Sequence, residues 1–403
     1  MADGDKGLLR ARGSHEDSKV TFVELFFDLV FVLAVTQLSH SLLHHLTVAG
    51  LIEATLLLMA VWWVWVYTSW VTNWLDPGRT PVRLMLFALM LAGLVLSTSI
   101  PDAYGARGLA FAGAYVFMQV GRSLFTLWAL RGGNPDQYRN FQRISCWLAL
   151  SGVFWIAGGL AEGNARLGMW VVALVVEYVS AAVGFWTPRL GRSTTADWDI
   201  EGGHMAERCG LFIIIALGES ILVIGSAFGK LPWATVTVAA FLSAFIGSVA
   251  MWWIYFNIGA EAGSRRIAGS SDPGRLARIA YSYMHLPLVA GIIGAAVGDE
   301  LVLAHPTGHL DGKTAAALLG GPALYLVGNL MFKRTIADRP ALSHMVGLAL
   351  LAATIALVPF VEPLTYSLAT TSVLVLVAVW ETLSLRTPPT PGMKSSAGTP
   401  AVS

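Results

Sequence analysis

One after another along this chain come apolar runs of about 20 residues, the length a helix needs to cross the hydrocarbon core of a bilayer. Short polar breaks separate them. The runs fall near 21–46, 49–74, 81–100, 106–131, 141–161, 166–187, 206–228, 232–258, 276–303, 314–334, 342–361 and 363–385. Backbone in lipid must satisfy its own hydrogen bonds, so each run reads as a helix, and the expected fold is an all-α polytopic membrane protein of about twelve transmembrane helices. Composition excludes a soluble globule: 55% of the 403 residues are hydrophobic and 13% charged, against roughly 25% charged in an ordinary soluble domain.

Charge placement gives orientation. With the N-terminus inside, the basic residues of the outer segments are Arg107, Arg166, Lys230 and Lys313, Arg122 lies within a span, and the rest fall on the cytoplasmic side. That asymmetry puts both termini in the cytoplasm of a cell-membrane protein. The net charge is only +1 and basic residues come in ones and twos, so no nucleic-acid surface is expected. Cys146 and Cys209, the only cysteines, leave no disulfide framework or cysteine-based zinc site. No phosphate-binding loop, dinucleotide fingerprint or nucleophile elbow stands in a supporting context, so no cofactor is implied.

Residues 1–18 are polar and read as a loose cytoplasmic tail, and 386–403, rich in Pro, Ser and Thr, as a second disordered one. Between them the chain echoes itself. Ala60-Val61-Trp62-Trp63-Val64-Trp65 resembles Ala250-Met251-Trp252-Trp253-Ile254-Tyr255 six spans later, and Val120-Gly121-Arg122-Ser123-Leu124-Phe125 resembles Val327-Gly328-Asn329-Leu330-Met331-Phe332. Glu24 and Glu207 open corresponding spans. The pattern predicts two parallel six-helix repeats, 19–187 and 206–385, related by an axis along the membrane normal. The segment 188–205, carrying Arg189, Arg192, Asp197, Asp199, Glu201 and His204, is then a cytoplasmic linker.

Ionisable groups inside spans are costly unless they face protein or water, so they are the functional candidates. Glu24 and Asp28 are four residues apart and share a helix face near the cytoplasmic end. Gln37, His40 and His44 cluster on a different face, nearer the outer surface. His40 with His44 is the one ligand-like spacing on a helix, too little to imply a metal. His204 and Arg208 open the seventh span, and Glu219 follows Arg208 by a rise of roughly 16 Å, near mid-membrane. Glu177 in the sixth span lies at a similar depth. Two carboxyls there need a cation, a proton or a partner, and Arg122 and His285 are possible partners; Arg122 with Glu177 could also form a purely structural salt bridge. Gly294-x-x-x-Gly298 and Gly225-x-x-x-Gly229 permit close helix approach within the bundle.

The motifs carry a resemblance. Glu24-Leu25-Phe26-Phe27-Asp28-Leu29-Val30-Phe31-Val32, followed by Gln37-Leu38-Ser39-His40, resembles the opening signature of the bacterial low temperature requirement A family. His204-x-x-Glu207-Arg208-x-Gly210-Leu211 leading into Leu217-Gly218-Glu219-Ser220, and Tyr281 to His285, match as well, so the likeness runs from about residue 19 to 385. It implies a multi-pass inner-membrane protein and no particular chemistry. A fainter likeness, Phe26-Phe27-Asp28, is to a lysosomal potassium channel family of two six-helix repeats.

The expected function is a carrier in the lipid bilayer that moves a small solute or ion, with Asp28, Glu177, Glu219 and His285 exchanging protons. A passive cation channel, a structural or sensory membrane protein and an intramembrane enzyme are the other classes this pattern admits.

Overall fold

A computed structural model describes residues 7–10, 19–133, 135–193, 200–257, 273–336 and 341–386, and these residues are all-helical apart from two isolated bridges. The helices are α1 (Phe22–His44), α2 (Val48–Trp74), α3 (Thr80–Ser99), α4 (Gly108–Val116), α5 (Arg122–Ala129), α6 (Pro135–Leu160), α7 (Gly163–Ala182), α8 (Gly202–Phe228), α9 (Thr235–Phe256), α10 (Pro273–Ala277), α11 (His285–Ala304), α12 (Gly312–Ile336), α13 (Leu342–Thr354) and α14 (Pro363–Arg386). Two π-helical turns interrupt the series, Phe117–Gly121 between α4 and α5 and Arg278–Tyr283 between α10 and α11.

Ten helices among the described residues are long and apolar enough to span a membrane. The expected fourth and eleventh spans are not among them, for different reasons. The fourth is the broken helix Gly108–Ala129, whose apolar character Gln119 and Arg122 dilute. The eleventh, Leu342–Leu357, is apolar but short, and the chain turns at Pro359 before the next helix.

Local chemistry sets the ends of the helices. Glu24 Oε2 accepts from the backbone N–H and the hydroxyl of Thr21, both at 2.9 Å, which fixes the start of α1. Thr47 Oγ1 caps α2 by accepting from Gly50 N at 3.1 Å. Of the stretch read as a loose N-terminal tail, residues 7–10 lie against the bundle: Leu9 bridges Leu75, and Arg10 N donates to Trp74 O at 2.8 Å. The remainder of both tails lies outside the described residues, as do 194–199 of the expected linker; His204 belongs to α8.

α2 occupies the centre. Every residue from Ala60 to Leu75 is buried, the behaviour of a helix that is apolar all round and enclosed by others. Neighbours include α1, α7, α8 and α11, so α2 sits where the two expected halves meet. The echo between α2 and α9 does not extend to their surroundings: Trp62 and Trp63 are 1% and 2% exposed, whereas Trp252 and Trp253 are 44% and 42% exposed.

α11 and α12 make the closest crossing, through glycines. A Cβ on Gly291 would lie 2.5 Å from Tyr325 N, one on Gly321 2.3 Å from Ala295 N, and one on Gly298 3.1 Å from Leu318 N. Gly294 and Gly298 therefore act in bundle packing. Gly225 differs, since a Cβ there would meet nothing within 4 Å. Gly291→Ala should cost about 1–3 kcal/mol through backbone displacement, while Gly225→Ala should stabilise α8 by up to about 1 kcal/mol. Thermal unfolding of the two purified variants in one detergent checks the opposite signs.

Candidate functional site

The largest concentration of buried charge joins α1 to α8 on the face of the bundle that carries the N-terminal segment. Glu24 and Asp28 sit one helical turn apart on α1, and His204 and Arg208 one turn apart on α8; all four are fully buried. Arg208 Nη1 donates to Glu24 Oε1 at 3.1 Å and Nη2 to Asp28 Oδ1 at 2.6 Å. One guanidinium thus bridges two carboxylates, as its forked donors allow. Arg10 Nη2 reaches Glu24 Oε2 at 3.1 Å, and Trp65 Nε1 of α2 donates to Asp28 Oδ1 at 2.7 Å. Two carboxylates face two guanidinium groups, so the network is neutral when His204 is neutral.

Neighbouring hydrogen bonds set the form of His204. Asn73 at the end of α2 accepts from Glu201 N at 3.0 Å through Oδ1, which leaves its amide NH2 to donate to Glu201 O at 2.9 Å and to His204 Nδ1 at 3.2 Å. Nδ1 is therefore an acceptor. His204 carries its hydrogen on Nε2, 2.8 Å from Glu24 Oε1. Nδ1 has no room for a second proton without displacing Asn73 from the start of α8.

A second buried acid is held without a cation in contact among the described residues. Glu177 of α7 accepts from Tyr115 Oη at 2.6 Å, Gln119 Nε2 at 3.1 Å, Ser151 Oγ at 2.5 Å and Trp155 Nε1 at 3.0 Å. The sequence reading offered Arg122 as a direct partner; instead Gln119 stands between them, its Oε1 accepting from Arg122 Nη2 while its amide nitrogen serves Glu177. Arg122 Nη1 donates onward to Thr68 Oγ1 at 2.9 Å and Val64 O at 3.3 Å, both on α2. The π turn at Phe117–Gly121 precedes Arg122 directly, and such bulges recur at functional sites.

Ser151 has two options. Its hydroxyl lies 2.5 Å from Glu177 Oε1 and 3.2 Å from Ala173 O. With Glu177 ionised, the hydroxyl donates to the carboxylate. With Glu177 protonated, Ser151 can accept the acid hydrogen and donate to Ala173 O instead, so no group is stranded.

His285 opens α11 just after the other π turn. Its Nδ1–H donates to Ala280 O at 2.8 Å and its Nε2 accepts from Tyr255 Oη at 2.8 Å, a neutral ring satisfied on both sides. Trp62 and Trp70 of α2 bind the same turn at Ser282, at 2.7 Å to its carbonyl and 3.0 Å to its hydroxyl.

Glu219 is 8% exposed and makes no hydrogen bond or ion pair among the described residues. Gln37 and His40 are half-buried and His44 exposed; none of the three joins Asp28. Glu207 is exposed and accepts from Val20 N at 3.1 Å. Sequence reasoning missed another ion cluster: Lys333 of α12 donates to both oxygens of Glu381 on α14 at 2.7 Å, with His344 Nδ1 of α13 at 3.3 Å. Glu381, an acid inside the last apolar run, was the available signal. It also missed the roles of Arg10, Trp65, Asn73, Tyr115, Gln119, Ser151 and Trp155, of which only Tyr115 and Gln119, one turn apart, were marked by spacing.

On the opposite face the bundle parts between a different set of helices. A cavity of about 540 Å³ lies between α1 and α2 on one side and α11 and α12 on the other.

Removing one partner from a buried ion network strands the others, typically at about 3–5 kcal/mol. Arg208→Met should therefore destabilise severely, and Asp28→Asn combined with Arg208→Gln should cost less than the sum of the single changes by about 0.5–3 kcal/mol. A double-mutant cycle of unfolding free energies in detergent measures that coupling.

Comparison with known proteins places this geometry in a lineage. A family model described as Bacterial low temperature requirement A protein (LtrA) matches residues 19–379. An uncharacterized protein of Rhizobium meliloti (strain 1021) is 44% identical over 392 residues, which cover 96% of this chain and 94% of the relative. No solved structure matches.

Proposed function

This chain belongs to the bacterial low temperature requirement A family, and we propose that it is a proton-coupled carrier of a small solute in the bacterial inner membrane. In this reading Gly108–Ala129 and Leu342–Leu357 are also spans, which gives twelve in two parallel six-helix halves with both termini cytoplasmic. A correspondence of charges supports the duplication. Glu177 and Glu381 lie on the last helix of each half, and each answers a cation on the fourth helix of its half, Arg122 through Gln119 and Lys333 directly.

The observation that carries the proposal is the asymmetry of the interface between halves. At the cytoplasmic face Arg208 ties α8 to α1, and Asn73 ties the end of α2 to the start of α8. At the outer face a cavity separates α1 and α2 from α11 and α12. Closed at one end and parted at the other is one of the two states a rocking carrier must visit. Reaching the other state means breaking the Arg208 pairs, and only a ligand or proton that binds the two states unequally can drive that.

Glu177 is the coupling carboxyl in this mechanism. Ser151 lets it accept a proton without stranding a donor. Once neutral, it holds Gln119 less strongly, and Gln119 is the link to Arg122 and so to the carbonyl of Val64 on α2. Glu24 and Asp28 act as the cytoplasmic latch.

In sealed liposomes with a trapped pH-sensitive dye, a panel of organic anions and cations should elicit saturable proton movement with the native chain. Glu177→Gln should reduce it at least about tenfold while leaving solute exchange intact. Ohmic cation current insensitive to this substitution would assign the protein to the channels. Loss of thermal stability alone, with no flux in any gradient, would make the buried charges structural.

A further inference from the structure

The outer cavity has a composition that narrows its cargo. It is bounded by the outer half of α1, the start of α2, the middle of α11 and the first half of α12. Except for Thr47, Thr55 and Lys313, its lining side chains are aliphatic or the residue is glycine. A path for a bare cation needs polar oxygens or acidic rings to replace the ion's hydration shell, and this wall offers almost none. A lining that is mostly apolar with a few placed polar groups is instead the pattern of a site for an organic ligand, and the cavity falls within the usual range of roughly 300–1,000 Å³ for such sites.

Two further features shape the ligand. Lys313 stands at the rim, exposed, and its ammonium makes no hydrogen bond or ion pair among the described residues. The neighbouring acid feels the Lys313 charge without pairing with it: Asp311 accepts from the Thr314 hydroxyl at 2.7 Å and from the backbone N–H groups of Lys313 and Thr314 at 2.8 and 3.1 Å. The lining carries one cation beside one continuous apolar wall, which matches one anionic head and one alkyl chain, and a cavity of about 540 Å³ has room for that chain.

We infer that the cavity binds a single-chain amphipathic anion, its alkyl chain lying between α1–α2 and α11–α12 and its anionic head at Lys313. This names the substrate class of the proposed carrier, and it rests on that reading for the cavity being a cargo site. The mouth lies beside the α1–α2 turn at Thr47, which faces outward in the proposed orientation, so there the ligand meets the cavity at the level where bilayer amphiphiles keep their heads. Gly320 supplies a way to block it, because a Cβ added there meets nothing within 4 Å and a larger side chain grows into open space.

The test uses the full-length protein in nanodiscs and a fluorescent conjugated-polyene fatty acid as probe, with its methyl ester as the uncharged control. Saturable binding of the acid is expected, weakened at least about tenfold by Gly320→Phe. Lys313→Glu should weaken the acid by a similar factor and leave the ester unchanged. Equal affinity in native and Gly320→Phe protein would overturn the site, and equal binding of acid and ester by the native chain would overturn the role of Lys313. A co-purifying two-chain phospholipid that displaces the probe from the same site would overturn the single-chain assignment. Binding that follows the expected pattern without solute-driven proton flux would leave this site standing and remove the carrier; flux with no probe binding would do the reverse.

Discussion

The Arg208 guanidinium, bonded at once to Glu24 and Asp28, is the contact on which the rest of the arrangement depends. Charges buried in a bundle of this kind are tolerated only as matched sets. Matching fixes α1 against α8, and Trp65 draws the centre of α2 to the same carboxylate. Arg10 then brings the N-terminal segment under the bundle to complete the set. Three separate stretches of chain are positioned by one requirement for neutrality, and α2 joins them through a neutral hydrogen bond.

Glu177 meets the same requirement differently. Four neutral donors surround it, and its nearest cation is held off by an amide. A proton on a carboxylate bonded to guanidinium cancels the attraction that holds it. One among hydroxyl, amide and indole donors can change its charge while its surroundings stay satisfied. In the proposed carrier the two acids on α1 form the latch and Glu177 is the group that changes charge.

Much of this was legible in the sequence, and the limits are physical. Spans appear as composition, and charges inside them stand out against it, so Glu24, Asp28, Glu177, His204, Arg208 and Glu219 could be named from order alone. Helical geometry gave which residues share a face. It could not give what opposes that face: two of the partners of Glu24 lie 180 and 184 residues away, and Gln37 and His40, placed on one face by their spacing, make no ion pair among the described residues. Arg10 was hidden in a stretch whose composition suggested a loose tail. Neither π turn has a compositional mark. The echo of Trp62-Trp63 in Trp252-Trp253 conceals opposite environments, because similar words can face protein in one helix and the bundle's exterior in another. Family membership, by contrast, was readable from the first span onward, and the match over 19–379 bears it out.

The two π turns lie on either side of α2 and are bound to it from both directions, by Arg122 at Val64 and Thr68 and by Trp62 and Trp70 at Ser282. A π turn stores one residue more than the α-helix around it. Releasing that residue into the flanking helix would rotate everything beyond it by about 100° and advance it by about 1.5 Å. On the first-half side this would swing Arg122 away from Gln119; on the other it would carry His285 off Tyr255. The contacts of Arg122, Trp62 and Trp70 with their partners hold both turns in the register described.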